Sequence, residues 1–249
     1  MSDSDKQWER FGREDPYFGV LTSERFRYDK LSDVAISAFF ESGENHIDGV
    51  LKTIQKHVDS HFNPHECLDF GCGVGRLVIP LARRFPHVVG LDVSESMLAE
   101  AKKNCKHYDI HNVSLVQSDD DLKNVNQTFD FIHSVIVFQH IDTRRGYHIA
   151  EQLIQRLNVG GIAVLHFTYK WDTSLLRKNI HWAQKNIPLV HNLINIFRGR
   201  RINYPRIDMN YYDLNHLNFL LQKHGFPMVH IQYTNDAKHL GGIFFFKRS

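Results

Sequence analysis

Residues 66–77 read ECLDFGCGVGRL and join an apolar run to a glycine-rich turn. Residues 67–70 are typical of a buried strand, and apolar residues recur at helical spacing from Leu77 onward. The turn therefore reverses the chain between a strand and a helix, and its glycines leave backbone room for a ligand. We expect free N–H groups of the turn to face that ligand.

The spacing of the glycines indicates which ligand the turn accepts. They stand at Gly71, Gly73 and Gly75. A dinucleotide fingerprint, Gly-x-Gly-x-x-Gly, requires a glycine where this chain has Arg76, which disfavours a nicotinamide dehydrogenase. A second apolar run, residues 88–91, ends in Asp92. An acidic residue at the tip of a second strand suits two hydrogen bonds to ribose hydroxyls.

Two motifs carry a resemblance to the class I S-adenosylmethionine-dependent methyltransferases. Residues 68–77, LDFGCGVGRL, resemble the first motif of that family, and residues 90–98, GLDVSESML, resemble its second-strand motif. The resemblance implies S-adenosylmethionine as cofactor and methyl transfer as activity. The cofactor contacts that it implies are Asp69, Gly71, Cys72, Gly73, Gly75, Asp92, Val93, Met97, Asp119, Asp120 and Ser134.

The resemblance continues beyond the third and fourth predicted strands. In the family an acidic residue after the third strand lies near the adenine, and both Asp119 and Asp120 match it; a solvated acidic loop is the alternative. Residues 135–141 lack an Asn-Pro-Pro-Tyr or Pro-Cys motif, which disfavours methylation of nucleic-acid bases. A small-molecule acceptor, methylated on oxygen or nitrogen, is therefore implied, such as a sugar or a secondary metabolite.

An acceptor hydroxyl would need a base near the methyl donor. His140 and His166 each follow apolar runs on the ligand side of the predicted sheet, and they are the candidate bases, with Tyr169 as a further candidate. Structural roles are the alternative for both, because the chain has 17 histidines.

The alternation of strand and helix from residue 65 to 168 predicts the fold. We expect an α/β, doubly wound, mostly parallel seven-stranded sheet with right-handed crossovers, and the resemblance implies an antiparallel last strand. The predicted strands are 67–70, 88–91, 113–116, 129–134, 162–167, 229–233 and 243–246, and the predicted helices include 47–58, 97–101, 144–157 and 214–221. The pair Gly160 and Gly161 is predicted to turn the chain into the fifth strand.

Two segments lie outside this plan. Residues 1–45 are predicted to be an irregular aromatic arm, either packed as an accessory layer or closing as a lid over the domain 46–249. Residues 170–206 are predicted to be a helical insertion whose apolar helix precedes the basic stretch 198–206. That helix could cover an acceptor phosphate or touch a membrane, but a packed cover helix with solvated arginines is the prediction.

Composition limits the partners. The formal net charge of +2 gives no overall field for nucleic acid or membrane. Without a long apolar run or the apolar core of a signal peptide, a cytoplasmic protein with no membrane span is expected. Three cysteines predict reduced thiols. His57, His61 and His65 recur every four residues, but Pro64 interrupts the helix and no metal site is predicted. No pattern determines the oligomeric state.

Other functions remain open. An RNA or protein methyltransferase would need a basic or aromatic acceptor surface, for which residues 198–206 are the candidate. A binding module that keeps the fold without catalysis is the third alternative.

Overall fold

The computed structural model describes residues 2–187, 190–197, 202 and 204–249. Its strands are β1 (Glu66–Phe70), β2 (His87–Asp92), β3 (Val113–Gln117), β4 (Phe129–Ser134), β5 (Leu157–Trp171), β6 (Val229–Asp236) and β7 (His239–Lys247). Its α-helices are α1 (Asp3–Glu14), α2 (Pro16–Val20), α3 (Asp33–His57), α4 (Val78–Ala82), α5 (Glu95–His107), α6 (Thr143–Gln155), α7 (Leu175–Asn186), α8 (Val190–Phe197) and α9 (Leu214–Lys223). Short 3₁₀ turns cover Glu24–Phe26, Tyr28–Lys30 and Phe138–His140.

The described strands form one sheet in the order β3-β2-β1-β4-β5-β7-β6. Strands β1 to β5 run parallel, and β7 lies antiparallel between β5 and β6. The predicted fold class, including the antiparallel last strand, is confirmed. The strand order reverses between β1 and β4, where a ligand crevice forms in open α/β sheets.

Each face of the sheet buries its own hydrophobic cluster. One cluster joins α1 to α5 to the sheet through residues such as Phe39, Ile54 and Val78. The other joins α6 and α9 to the opposite face through residues such as Leu153 and Leu217. A sheet covered on both faces explains why its central strands read as continuous apolar runs.

The fifth strand is longer than predicted. Gly160 and Gly161 lie inside β5 rather than in a turn before it. The pairing register of β4 with β5 shifts there, from Phe129 opposite Leu157 to Phe131 opposite Ile162. The glycine pair therefore lies at an irregularity of the ladder, where β5 advances five residues while β4 advances two.

The N-terminal arm is helical rather than irregular. Residue 45, the predicted domain boundary, lies inside α3. At the start of α1, Ser2 and Asp5 form a capping box, because each side chain accepts a hydrogen bond from the backbone N–H of the other. The arm packs on the main domain through buried aromatic side chains, namely Phe11, Tyr17, Phe18, Phe26, Phe39 and Phe40.

The insertion differs from the packed cover helix that its sequence suggests. On α8 the side chains of Leu193 and Phe197 are exposed instead of buried. Pro188, Leu189 and the arginines 198–201 lie outside the described residues. Among the described helices, none combines the length and apolar character that crossing a membrane requires.

A glycine in α3 permits a close approach to the glycine-rich turn. A Cβ added to Gly43 would collide with the carbonyl oxygen of Arg76, a backbone atom, whereas a Cβ on Gly49 meets no atom. We expect Gly43→Ala to lower the free energy of unfolding by about 1 to 3 kcal/mol. Gly49→Ala, in the same helix, should be neutral or stabilising by up to about 1 kcal/mol. Urea unfolding of the two variants measures both; equal stabilities would contradict the packing described here.

Candidate active site

A cavity of about 550 Å³ opens at the carboxyl ends of the parallel strands, at the point where the strand order reverses. The glycine turn after β1, the end of β2, and the segments after β3 and β4 line it. Its volume lies in the range of small-molecule sites. Helix α1 lines it through Ser4, Asp5 and Trp8, and α2 and α6 also contribute lining residues.

The glycine turn is tied to the end of β2. Gly71 and Gly73 have φ angles of +75° and +53°, which favour glycine. The N–H groups of Gly71 and Cys72 donate to the carbonyl of Leu91 at 2.7 and 2.8 Å, and the N–H of Gly73 donates to Asp92 Oδ2 at 2.9 Å. These three N–H groups therefore hold the turn against β2. The sequence had suggested that they would face the cavity freely.

Asp92 places a carboxylate in the cavity at the end of β2. Its Oδ1 accepts the N–H of Ser94 at 2.9 Å, and its Oδ2 accepts the N–H of Gly73. Burial raises the pKa of Asp92 to about 6, and the neighbouring charge of Asp69 acts in the same direction. Each carboxylate oxygen keeps a further acceptor site for a ligand hydroxyl.

Asp69 belongs to a buried chain of hydrogen bonds. Its Oδ1 lies 2.9 Å from His133 Nδ1, and His133 Nε2 lies 3.1 Å from His46 Nε2. Burial, together with the neighbouring His133, lowers the pKa of His46 to about 2, so His46 stays neutral. These hydrogen bonds engage one oxygen of the Asp69 carboxyl group, which also lines the cavity.

Arg76 is the cation beside that carboxylate. It lines the cavity, is 6% exposed, and its Nε atom has no hydrogen-bond partner among the described residues. Burial lowers the pKa of Arg76 to about 10 while Asp69 opposes that shift, so the guanidinium remains charged near neutral pH. A buried cation with an unsatisfied N–H is suited to an anionic ligand group.

An ion-pair network fastens α1 over the cavity. Arg145 on α6 donates to both oxygens of Asp120 at 2.7 Å and to Asp5 Oδ1 at 3.1 Å. On the other side, Glu9 accepts from the hydroxyls of Ser94 and Ser96 at 2.8 and 2.7 Å. The N-terminal helix is thus held at two places, one beyond β3 and one at the start of α5.

His140 lines the cavity beside Trp8, with the two ring centroids 5.0 Å apart. Its Nδ1 donates to the carbonyl of Asp208 at 2.8 Å, which leaves Nε2 as the acceptor, 3.1 Å from the amide of Gln139. Burial lowers the pKa of His140 to about 4. The imidazole is therefore neutral near pH 7 and is a weak base.

The segment after β4 carries backbone strain at the cavity. Ile136 lines it with φ of +65°, a conformation that is unfavourable for a β-branched residue. Such strain costs about 1 to 3 kcal/mol and concentrates at functional sites. Nothing in the local sequence signals it.

Most residues assigned from sequence line this cavity. Those that do are Asp69, Gly71, Cys72, Gly73, Asp92, Val93, Met97, Asp119, Asp120 and His140.

Gly75, Ser134 and His166 do not. Gly75 faces Ala101 of α5, and the hydroxyl of Ser134 donates to the carbonyl of Phe70 at 3.0 Å. His166 lies inside β5, where its Nε2 is 3.0 Å from Thr234 Oγ1 on β6. It is therefore a packing residue of the sheet.

The sequence reading missed several residues of the site. The most important are Trp8, Arg76, His133 and Arg145. Arg76 stood next to the glycine turn and could have been noticed as a charge inside an apolar motif. Trp8 and Arg145 come from segments far apart in the chain, and only the packing of α1 on α6 brings them together.

Two buried histidines predict a loss of stability in acid. Burial lowers the pKa of His140 and of His166 from 6.5 to about 4. Below pH 6.5 these histidines bind protons in the unfolded chain but not in the folded chain. As the pH falls to about 4, each histidine therefore lowers the free energy of unfolding by about 1.4 kcal/mol per pH unit. Asp92, with a raised pKa, acts in the opposite direction.

His166→Gln should therefore make the pH dependence of urea unfolding shallower by about 1.4 kcal/mol per pH unit. His111→Gln, at an exposed site, is the matched control. Identical slopes for wild type and His166→Gln would contradict a neutral buried imidazole.

The candidate metal face of His57, His61 and His65 does not assemble. His57 stacks on His230, with ring centroids 4.4 Å apart. Among the described residues, ligand atoms of His65, Glu66 and His87 lie within 4.8 Å of one another, at the start of β1 and β2 and away from the cavity. All three cysteines are free and buried, as reduced thiols would be.

The cavity fits the sulfonium nucleoside that the sequence resemblance implies. Carboxylates outnumber cations along its wall, which suits a ligand with a sulfonium and an ammonium group. Val93 and Met97 offer apolar contacts for a purine, and the unsatisfied Nε of Arg76 suits a carboxylate. The residues present therefore match both halves of S-adenosylmethionine.

Comparison with known proteins supports this fit. Residues 67–161 match the family model of a methyltransferase domain. A ubiquinone biosynthesis O-methyltransferase of Rickettsia akari is 22% identical over 119 residues, which are 48% of this chain and 46% of that protein. The chain thus spans about half the length of this relative.

Solved structures share the fold over nearly the whole chain. Magnesium protoporphyrin IX methyltransferase of Synechocystis, with bound S-adenosylmethionine, superposes with a TM-score of 0.63 at 17% identity, covering 100% of this chain and 99% of that one. The N-methyltransferase NodS of Bradyrhizobium japonicum, in complex with S-adenosyl-L-homocysteine, gives a TM-score of 0.61 at 13% identity, covering 99% of each chain. With its glycine turn, its acidic second-strand tip and this strand order, the chain contains a methyltransferase domain at residues 67–161 and shares the fold of class I S-adenosylmethionine-dependent methyltransferases.

Proposed function

We propose that the protein transfers the methyl group of S-adenosylmethionine to an oxygen or nitrogen atom of a small-molecule acceptor. The observation that carries the proposal is one cavity with two kinds of lining. The glycine turn and Asp92 line it, and so do Trp8 and His140, whose ring centroids are 5.0 Å apart. We assign the donor to the first group and the acceptor to the second. Because the sulfonium is an activated leaving group, holding donor and acceptor in line supplies much of the rate.

Each part of the donor has a candidate partner. Asp92 would accept from the ribose hydroxyls, and Arg76 would bind the carboxylate of the methionine half. Of the two acidic residues after β3, Asp120 accepts hydrogen bonds from Arg145 with both oxygens. Asp119 accepts two backbone N–H groups with Oδ1. The proposal therefore assigns the adenine amine to Asp119 and the closure of α1 to Asp120.

The acceptor would lie against Trp8 and His140. An indole face and a neutral imidazole suit a flat or cyclic molecule of modest size, and α1 limits the room for a larger one. With its lowered pKa, and with Nε2 already accepting from the amide of Gln139, His140 would serve better as a contact surface for the acceptor than as the base that removes its proton.

Conversion of S-adenosylmethionine to S-adenosylhomocysteine, measured by mass spectrometry, tests this function. The panel should include phenols, hydroxylated quinones, amines, sugars, transfer RNA and a basic peptide. We expect turnover with a small molecule and none with the two polymers. Turnover of RNA or peptide alone would contradict the small-molecule assignment.

Trp8→Leu tests acceptor binding separately from donor binding. We expect it to raise the KM for the acceptor several-fold, because a stacking surface worth about 1 kcal/mol is lost. The affinity for S-adenosylhomocysteine, measured by calorimetry, should stay unchanged. An equal loss of affinity for the acceptor and for S-adenosylhomocysteine would place Trp8 in the donor site instead.

A further inference from the structure

Helix α8 buries a polar side chain and exposes apolar ones, which is the reverse of an ordinary surface helix. The side chain that it buries is Asn195, which is 2% exposed and donates from Nδ2 to the carbonyl of Ile202 at 3.0 Å. The side chains that it turns to solvent are apolar: Leu193 is 53% and Phe197 is 89% exposed. A helix that covers a protein core does the opposite, so the outer face of α8 is built for an apolar medium.

Helix α7 extends this surface. It packs against α8 and exposes Leu175, Leu176 and Trp182, of which Leu175 is 76% exposed. We call the exposed apolar side chains of these two helices the α7–α8 patch, namely Leu175, Leu176, Ile180, Trp182, Leu193, Ile196 and Phe197. Exposed leucine, phenylalanine and tryptophan side chains are typical of helices that lie in a membrane interface.

The charge of residues 173–207 indicates which kind of partner the patch would bind. Residues 173–207 contain seven Lys and Arg and no Asp or Glu, although the whole chain has a formal net charge of only +2. The rest of the chain is therefore net acidic, and the positive charge is concentrated in this part of the sequence. Anionic lipid headgroups attract such a segment by about 1 kcal/mol for each basic residue near the surface.

We propose that the α7–α8 patch docks on the surface of an anionic lipid bilayer, with its apolar side chains among the acyl chains and the basic segment 173–207 at the headgroups. A second copy of this chain is a poorer occupant. A two-fold symmetric contact would bring the basic segment against itself, and like charges across an interface are repulsive.

The chain after the patch contacts α1, the helix that lines the cavity through Trp8. Tyr204, just beyond the patch in the chain, contacts Phe11 of α1 with ring centroids 5.9 Å apart. The backbone N–H of Arg206 donates to Gln7 Oε1 of α1 at 3.2 Å.

Vesicle flotation tests the proposal, without methyl donor or acceptor, so its outcome is independent of the proposed function. We expect the wild-type protein to float with vesicles of phosphatidylcholine and phosphatidylglycerol and to stay behind with phosphatidylcholine alone. Added salt should weaken binding through screening. The double variant Leu193→Ser, Phe197→Ser should bind at least about tenfold more weakly, because two buried apolar side chains are lost.

Met228→Ser, at an 81% exposed apolar residue outside the patch, is the matched control and should bind like wild type. Trp182 provides a second readout, since its fluorescence should shift to the blue with anionic vesicles, and Trp182→Phe should remove that shift. Equal binding of the double variant and wild type would overturn the proposal. So would a dimer in free solution that the double variant abolishes, because the patch would then be an interface between copies.

Discussion

Replacing Asp92 by Asn is expected to weaken the binding of S-adenosylhomocysteine by about 2 to 4 kcal/mol, or roughly 30- to 1,000-fold. The carboxylate lies at the end of β2 with both oxygens held in place by the N–H groups of Gly73 and Ser94. It would accept from two ribose hydroxyls, and the amide of Asn replaces one of its acceptors by a donor. Calorimetric titration near neutral pH measures the loss.

The pH dependence provides an independent check on the same residue. With a pKa of about 6, Asp92 is mainly protonated at pH 5 in the free protein. A ligand that requires the ionised form should bind about tenfold more weakly there than at neutral pH, and Asp92→Asn should remove that dependence. Asp109→Asn, at an exposed carboxylate outside the cavity, is the control. A pH dependence unchanged in Asp92→Asn would contradict the ribose role.

Replacing Arg76 by Gln is expected to weaken S-adenosylhomocysteine by about 2 to 3 kcal/mol. The reason is the loss of the buried cation whose Nε has no partner among the described residues. The same variant should bind 5′-methylthioadenosine like wild type, because that nucleoside lacks the amino-acid half. Asp92→Asn should weaken both ligands, since both carry the ribose.

This pair of ligands separates two explanations for Arg76. If Arg76 only neutralises Asp69, its loss should affect both ligands equally through the shape of the turn. Arg83→Gln, at a partly exposed arginine nearby, controls for the change of net charge. Undiminished affinity for S-adenosylhomocysteine in Arg76→Gln would contradict its contact with the carboxylate.

The centre of the fold was predictable because local chemistry determines it. The run at residues 67–70, the alternating glycines and Asp92 specify a strand, a turn and a strand tip without help from distant residues. The N-cap at Ser94 and the helix end at Gly225 follow from similarly local rules, and both are present. Ten of the residues assigned to the site line the cavity for this reason.

The N-terminal arm was misread although a local signal was available. The capping box of Ser2 and Asp5 is visible in the sequence and marks the start of α1. Gly43 lies inside α3, where its missing side chain admits the carbonyl of Arg76. A glycine that permits close packing and a glycine that ends an element look the same in sequence.

The orientation of the insertion could not be predicted. Periodicity shows that Leu193 and Phe197 share a face of a helix, but it does not show whether that face meets the protein or the solvent. Only the burial of Asn195 identifies the inner side. The ion-pair network that holds α1 over the cavity could not be predicted for a similar reason. Arg145 meets Asp5 and Asp120 through tertiary packing alone.

A crystal structure with S-adenosylhomocysteine bound tests the central claim most directly. We expect the ribose hydroxyls on the carboxylate of Asp92, the amino-acid half beside the glycine turn and Arg76, and the sulfur directed toward Trp8 and His140. Nucleoside bound elsewhere, or bound with its ribose away from Asp92, would contradict the account and leave only the fold standing.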